Sequence, residues 1–373
     1  MTAASARGRI APALDLRWLI RRMYPDDPIT RRLLRERQPL TLARARALWF
    51  LIRALVFEER LRFHRPFTPR KPNGVAIEIT NACNLRCTMC NLVTMERPPR
   101  FMKMDVYRQV VDRCAELGVR SVRLHTYGET ILHPQLGEML RYATEKGLRT
   151  WISTNGQLLN ERKARMLLGS GVSAVRFSVE GADRDTYEAI RAGGTWERLL
   201  ANMKRFRELR DELSPSTRIG LNTVVMRRTL DAIDRIQEVF GPYVDEIEFS
   251  ALEGLGAGGR ALADGEFIED HSRSRRIPCR LLWDMMNVSV TGQATLCCAD
   301  VEAEKVVGDA LAEDLASIWK GEELEHARRL HRARDFAALG ICDGCTFGVT
   351  NTARNRFRYA LLNDRVSYGG KVR

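Results

Sequence analysis

From Val75 onward the chain alternates short β-branched runs with longer stretches of helical periodicity. That alternation restricts the fold more than any other feature of its 373 residues. Strand signals fall at Val75 to Thr80, Ser121 to Thr126, Leu148 to Ser153, Ala174 to Val179, Thr217 to Val225 and Val244 to Ser250. Helical spacing of apolar residues occupies Met104 to Leu117, Gln135 to Lys146, Asn160 to Leu168, Trp196 to Glu212 and Leu230 to Phe240. Six strands with five intervening helices predict an α/β fold built on a parallel sheet. The length suits a partial (β/α)6 TIM-like barrel better than a closed eight-fold one. In such folds the chemistry gathers at the carboxyl ends of the strands.

The flanks read differently. Residues 1–73 form a basic helical extension and linker, with apolar residues at helical spacing in Leu14 to Met23 and Leu40 to Phe63. Residues 74–260 hold the alternating pattern. Residues 261–373 form a small α+β domain with a C-terminal tail. There Met286 to Val290 and Ala294 to Cys298 alternate around Thr291-Gly292, a hairpin signal. Two short helices follow, at Leu311 to Lys320 and Glu322 to Arg334. The Gly- and Asp-rich stretch from Gly254 to Ser274 reads as a loop.

Charge separates the segments. Up to Gly74 there are 17 Lys or Arg against 6 Asp or Glu, so most of the net charge of +13 belongs to the extension. The nearly neutral body disfavours nucleic acid as a partner. The basic helix suits an acidic partner or a peripheral membrane contact. The longest apolar run, Leu48 to Phe57, is interrupted by Arg53 and is far shorter than the roughly 20 residues a membrane span needs. With no apolar export segment in Met1 to Asp15, the expected compartment is the cytoplasm.

Nine cysteines carry the functional signal. The count is odd and no export signal accompanies it, so metal binding is the better reading than a disulfide framework. Cys83, Cys87 and Cys90 form a CxxxCxxC triplet in the loop after the first strand. Three thiolates leave a zinc site incomplete unless a fourth ligand arrives from elsewhere. Three thiolates on a four-iron cluster leave one iron open for an exogenous ligand. Spacing alone does not choose between the two.

The triplet, with Met89 before its last cysteine and a βα series after it, resembles the radical S-adenosylmethionine (SAM) superfamily. The resemblance covers Val75 to about Gly259. It implies a [4Fe-4S] cluster on Cys83, Cys87 and Cys90, with the open iron chelated by SAM and Met89 packed on adenine. Gly128-Glu129 matches the end of the family's Gly-Gly-Glu segment, with Tyr127 in place of the first glycine; Glu129 would hold the SAM ammonium. Ser153 and Asn155, in Ser-Thr-Asn-Gly, match SAM contacts. Ser178 opens Ser-Val-Glu-Gly, where Glu180 replaces the family's aspartate. Arg191, in Arg-Ala-Gly-Gly, would pair with the SAM carboxylate.

Cys279, then Gly292 and Cys297 at C-x12-G-x4-C spacing, then Cys342-x2-Cys345, resembles the SPASM or twitch auxiliary-cluster domain. The full seven-cysteine pattern is missing, so the resemblance implies one auxiliary [4Fe-4S] cluster, on Cys279, Cys297, Cys342 and Cys345. A four-cysteine zinc ribbon is the bland alternative. Cys114 sits at core spacing on its helix. Cys298 follows Cys297 on a predicted strand, so the two point to opposite faces. Cys298 then packs, replaces Cys297 as ligand, or donates a hydrogen atom to a substrate radical.

The resemblance implies an oxidoreductase or epimerase with two [4Fe-4S] clusters and SAM, served by an external one-electron reductant such as flavodoxin or ferredoxin. Strand parity places Arg123, His125, Trp151, Arg176, Glu248 and Ser250 on lumen-facing positions. A polar lumen favours a hydroxyl-rich or charged substrate over a lipid. The N-terminal segment is helical and Arg-rich, without the period-2 strands of a peptide-recognition domain, which favours an antibiotic-type sugar or aminoglycoside intermediate. A ribosomally made peptide is the alternative substrate. A non-catalytic zinc protein whose arginine-rich arm binds nucleic acid is the remote one.

Overall fold

The computed structural model describes residues 68–255, 265–268 and 276–350. The basic extension, most of the loop from Gly254 to Ser274 and the C-terminal tail lie outside the described residues, and with them the expected helices at Leu14 to Met23 and Leu40 to Phe63. The described strands are β1 (Gly74–Ile77), β2 (Ser121–Arg123), β3 (Arg149–Thr154), β4 (Ala174–Ser178), β5 (Arg218–Val225), β6 (Glu246–Ala251), β7 (Met285–Val288), β8 (Gln293–Thr295) and β9 (Val306–Asp309). They form one sheet in the order β6-β5-β4-β3-β2-β1-β7-β8-β9. Strands β1 to β6 run parallel and stop short of closure, which makes the barrel partial.

Helices α1 (Met104–Leu117), α2 (Leu136–Glu145), α3 (Glu161–Leu168), α4 (Arg184–Ile190), α5 (Trp196–Leu213) and α6 (Ile233–Phe240) connect these strands. In α1 the buried Tyr107, Val110, Val111 and Cys114 recur at helical spacing and face the sheet. Cys114 is thus a core residue. Gly118 ends the helix in the left-handed region at φ 71°. In β3, Thr150, Ile152 and Thr154 are buried while Trp151 and Ser153 stay half-buried on the other face, the period of two that a strand imposes. The sequence reading misses α4 because it has seven residues; Asp183 caps it, accepting from the Thr186 N–H at 2.8 Å.

The two cysteine-bearing halves share this sheet. β7 pairs in parallel with β1, from Gly74 opposite Met285 to Ile77 opposite Val288. The hairpin to β8 is present as its Thr-Gly signal implies, and β9 extends it antiparallel. The second strand of the hairpin ends at Thr295, with a register shift at Ala294/Thr295. Cys297 and Cys298 therefore lie beyond the strand, and the strand-alternation reading of their opposite faces is corrected. Helices α7 (Leu281–Asp284), α8 (Leu315–Lys320), α9 (Glu322–Ala333) and α10 (Phe347–Thr350) complete the described chain. Among the described residues no helix is long and apolar enough to cross a membrane.

A buried ion pair fastens the halves together. Arg97 donates from Nη1 and Nη2 to the Glu78 carboxylate at 2.6 and 2.5 Å, and Glu78 is 2% exposed. Arg97 Nε also donates to the Val301 carbonyl at 2.6 Å, and the Val290 N–H donates to Glu78 at 3.2 Å. Arg97→Met strands the Glu78 charge and is expected to cost roughly 3–5 kcal/mol, read as a lowered Tm of the cluster-loaded protein. Adding Glu78→Leu removes the stranded charge and is expected to recover most of that loss. A single variant with unchanged Tm would count against the clamp.

Candidate functional site

The chain leaving β1 is held at both ends of the cysteine triplet. At the near end Thr80 bridges Phe101 across the loop. At the triplet itself the Arg86 N–H donates to the Ala192 carbonyl and the Thr88 N–H to the Ile190 carbonyl, each at 2.9 Å. The side-chain amide of Asn155, beyond β3, donates to Asn84 Oδ1 at 3.0 Å. Cys83, Cys87 and Cys90 thereby rim one cavity of about 410 Å³. Burial is the first cause that raises all three thiols, Cys83 to about 11.

The same cavity is lined by Met89, Gly128, Glu129, Ser153, Asn155, Ser178 and Arg191, so every residue matched to a SAM contact faces it. Gly128 has φ +78°, and a Cβ there would lie 2.5 Å from the Thr80 carbonyl oxygen and 2.8 Å from that of Ala82. This close approach lets the Glu129 N–H donate to the Ala82 carbonyl at 2.8 Å. The Glu129 carboxylate accepts from Thr154 Oγ1 at 2.8 Å, the Asn155 N–H at 2.7 Å and the Ile131 N–H at 3.1 Å. Burial raises its pKa, against the pull of those donors. Met89 packs with Ile190, Met226 and Leu252.

Arg191 donates from Nε and Nη2 to Glu180 at 2.5 and 3.0 Å, and Nη1 lies 3.6 Å from Cys87 Sγ. Glu180, the departure from the expected aspartate, is thus the partner that orients Arg191. Burial opposes the Arg191 charge, but Glu180 and then Cys87 more than offset it.

The second cysteine group also converges. Burial first, then mutual repulsion, pushes Cys279 and Cys297 well up; the neighbours that repel them include Cys345, Cys342 and Cys298. Cys342 is pushed up to about 12, by burial and then Cys345. Cys297 and Cys345 share an apolar cluster with Ala299. Cys298 is half-buried; burial, then Glu253, raises it to about 12. Glu253 in turn lines the first cavity.

Sequence reasoning misses several residues here. Thr154 and Glu253 offered no motif beyond their neighbours. Tyr127 stands where glycine was expected, and its buried hydroxyl has no hydrogen-bond partner while its ring lines the cavity. Cys298, Cys90 and Cys297 all lie close enough to raise its pKa, after burial. The expected polar lumen splits in two. Ser153, Ser178, Glu248 and Ser250 line the cavity, whereas Arg123, His125, Trp151 and Arg176 do not. Arg176 is paired to Glu246 and Glu248 and lies over the Trp151 ring at 5.0 Å.

These features fit an iron–sulfur cluster at each group. Buried thiols that repel one another need a polycation to ionise, and thiolate is the ligand such clusters take. Among the described residues no three His, Cys, Asp or Glu side chains close on a single ion. The triplet instead rims a cavity of about 410 Å³, which has room for a group larger than one ion. Glycine at position 128 supplies the close backbone approach this rim requires.

Two family models match the chain. Residues 77–245 match the radical SAM superfamily and residues 279–346 an iron–sulfur cluster-binding domain, SPASM. The AdoMet-dependent heme synthase of Methanosarcina barkeri is 30% identical over 170 residues, 45% of this chain and 47% of that protein. The GTP 3′,8-cyclase of Chlorobaculum tepidum is 33% identical over 162 residues, 42% and 46% of the two chains. This chain therefore spans about half the length of these curated relatives. Among solved structures, Streptococcus suis SuiB bound to precursor peptide SuiA has a TM-score of 0.59 at 16% identity, covering 83% of this chain and 74% of that one. That likeness is one of fold.

Gly128 and Gly147 offer a controlled comparison. Both have positive φ, but a Cβ at Gly147 meets nothing within 4 Å. Gly147→Ala is expected to cost about 1 kcal/mol from backbone strain alone. Gly128→Ala is expected to cost more than about 2 kcal/mol and to reduce iron retained per chain after reconstitution. Equal losses of stability and iron in the two variants would mean that the Gly128 approach does not shape the site.

Proposed function

We propose that this chain, a radical SAM superfamily member with a C-terminal SPASM-type cluster domain, abstracts a hydrogen atom from a carbon of a small, hydroxyl-rich substrate. The observation that carries the reading is the convergence of Cys83, Cys87 and Cys90 with Glu129, Asn155 and Arg191 on one cavity. When bound there, a [4Fe-4S] cluster and SAM supply a carbon-centred radical.

The chain's own residues bind and orient. Cys83, Cys87 and Cys90 would hold three irons. Three donors occupy the Glu129 carboxylate, which has about four acceptor positions. The remaining one suits the SAM ammonium. Ser153, Asn155 and Ser178 line the same wall and offer hydroxyl and amide groups, and Met89 offers an apolar face to adenine. Arg191 has donors left beyond Glu180 and Cys87 for the SAM carboxylate.

Cys279, Cys297, Cys342 and Cys345 would hold the auxiliary cluster. Ser250, Asn222, Glu248 and Glu253 form a polar wall suited to substrate hydroxyls; this supports a sugar- or aminoglycoside-type intermediate, epimerised or dehydrogenated. Cys298, beside Glu253, is the candidate hydrogen-atom donor to the substrate radical. The reaction needs an external one-electron reductant of the flavodoxin or ferredoxin kind, as found in the cytoplasm.

Anaerobic reconstitution is expected to load about eight irons per chain, two four-iron clusters, and to give 5′-deoxyadenosine from SAM under dithionite. The Cys83→Ala/Cys87→Ala/Cys90→Ala variant is expected to keep about half that iron and lose SAM cleavage. Zinc in place of iron would overturn the proposal. With aminocyclitol and sugar substrates in deuterated water, an epimerised product is expected to carry one deuterium at the product carbon and a dehydrogenated product none. Cys298→Ala is expected to keep SAM cleavage and lose that deuterated product. Turnover of peptides alone would move the reading to a peptide maturase.

A further inference from the structure

The buried imidazole of His331 contacts both ends of the second cysteine group. His331 lies in the last turn of α9 and is 2% exposed. Its Nδ1 is 3.0 Å from the backbone nitrogen of Cys279. A backbone N–H only donates, so Nδ1 is the acceptor. With Nδ1 accepting, the ring carries its proton on Nε2, which is 3.4 Å from Cys342 Sγ.

The surroundings hold the ring in this orientation. Phe336 packs edge-on against it, with centroids 5.0 Å apart at 76°. The Arg276 guanidinium lies over the Phe336 ring at 4.2 Å and donates to the Cys342 carbonyl at 2.5 Å. The sequence reading singled out neither His331 nor this stack.

We infer that His331 is a positioning residue for the auxiliary cluster: it anchors the Cys279 backbone through Nδ1 and raises the cluster's reduction potential by donating from Nε2–H to the Cys342 sulfur. A hydrogen bond to a ligand sulfur draws electron density from the cluster and favours its more negative, reduced form. The inference rests on the reading of Cys279 and Cys342 as cluster ligands.

Two substitutions divide the contacts. His331→Asn keeps an acceptor near the Nδ1 position and loses the donor that reaches Cys342. His331→Gln keeps an amide N–H near the Nε2 position and loses the acceptor. Wild type and both variants are reconstituted, their iron is counted, and each cluster's midpoint is read by EPR during anaerobic redox titration. In His331→Asn the second cluster is expected to shift to lower potential while the cluster on Cys83, Cys87 and Cys90 stays unchanged. In His331→Gln the midpoint is expected near wild type.

Full iron loading with an unshifted second cluster in His331→Asn overturns the inference. So does an equal shift in both variants, or iron loss in both with no shift in whatever cluster loads, which would leave His331 a merely structural residue. Failure of the ligand reading looks different: wild type then loads only about four irons, or Cys342→Ala keeps a full second cluster.

Discussion

The parallel pairing of β7 with β1 is the constraint on which the site depends. β1 leads directly into the Cys83 loop, and the hairpin begun by β7 leads to Cys297. Four residue pairs, Gly74–Met285 to Ile77–Val288, fix these two chain segments in one register. A slip by one residue would turn every side chain of β7 to the opposite face of the sheet. The pairing also covers the β1 edge, whose N–H and C=O groups would otherwise need other partners. The Glu78–Arg97 pair then acts just past the strand end, where ladder hydrogen bonds stop and a charge pair with fixed geometry takes over.

Much of this was legible in the sequence because local rules and the global fold agree there. The helix at Met104–Leu117 has the bounds that periodicity gives, and the fourth strand starts at the expected Ala174. The alternation of strand and helix identifies the parallel sheet, and the cysteine spacing singles out the loop after β1. The docking of β7 on β1 was not legible. Met285 to Val288 reads as one arm of a hairpin, and nothing in those four residues says which strand borders their other edge. The same limit explains Cys298: the register shift at Ala294/Thr295 ends the strand early, so alternation was extended past the residues that obey it.

The candidate site divides in the same way. Residues in motifs, such as Glu129 and Arg191, were found from sequence. Their partners were not, because a partner is chosen by geometry across the sheet. Glu180 was noted as a departure from aspartate, and the structure gives the longer side chain a purpose, a two-point grip on Arg191. Tyr127 was noted as a departure from glycine. It is tolerated because the tight approach falls one residue later, at Gly128. His331 had no signal, since a single histidine on an amphipathic helix is indistinguishable from a core residue until its two nitrogens find partners.

The electrostatics of the two cysteine groups differ in a way that bears on their roles. Around the triplet, Arg191 lies within reach of Cys87 and lowers the cost of a negative sulfur there. Its charge is already shared with Glu180, so the protein adds little net positive charge at that cavity. Around the second group Arg276 faces Cys342, and Asp300 lies close enough to oppose its effect. His331 adds a neutral donor beside it. Arg276 and His331 favour electron density on the Cys342 sulfur, and Asp300 opposes it. Arg276 and Asp300 act on Cys342 with opposite signs, so the Nε2–H of His331 tips the balance there toward a negative sulfur.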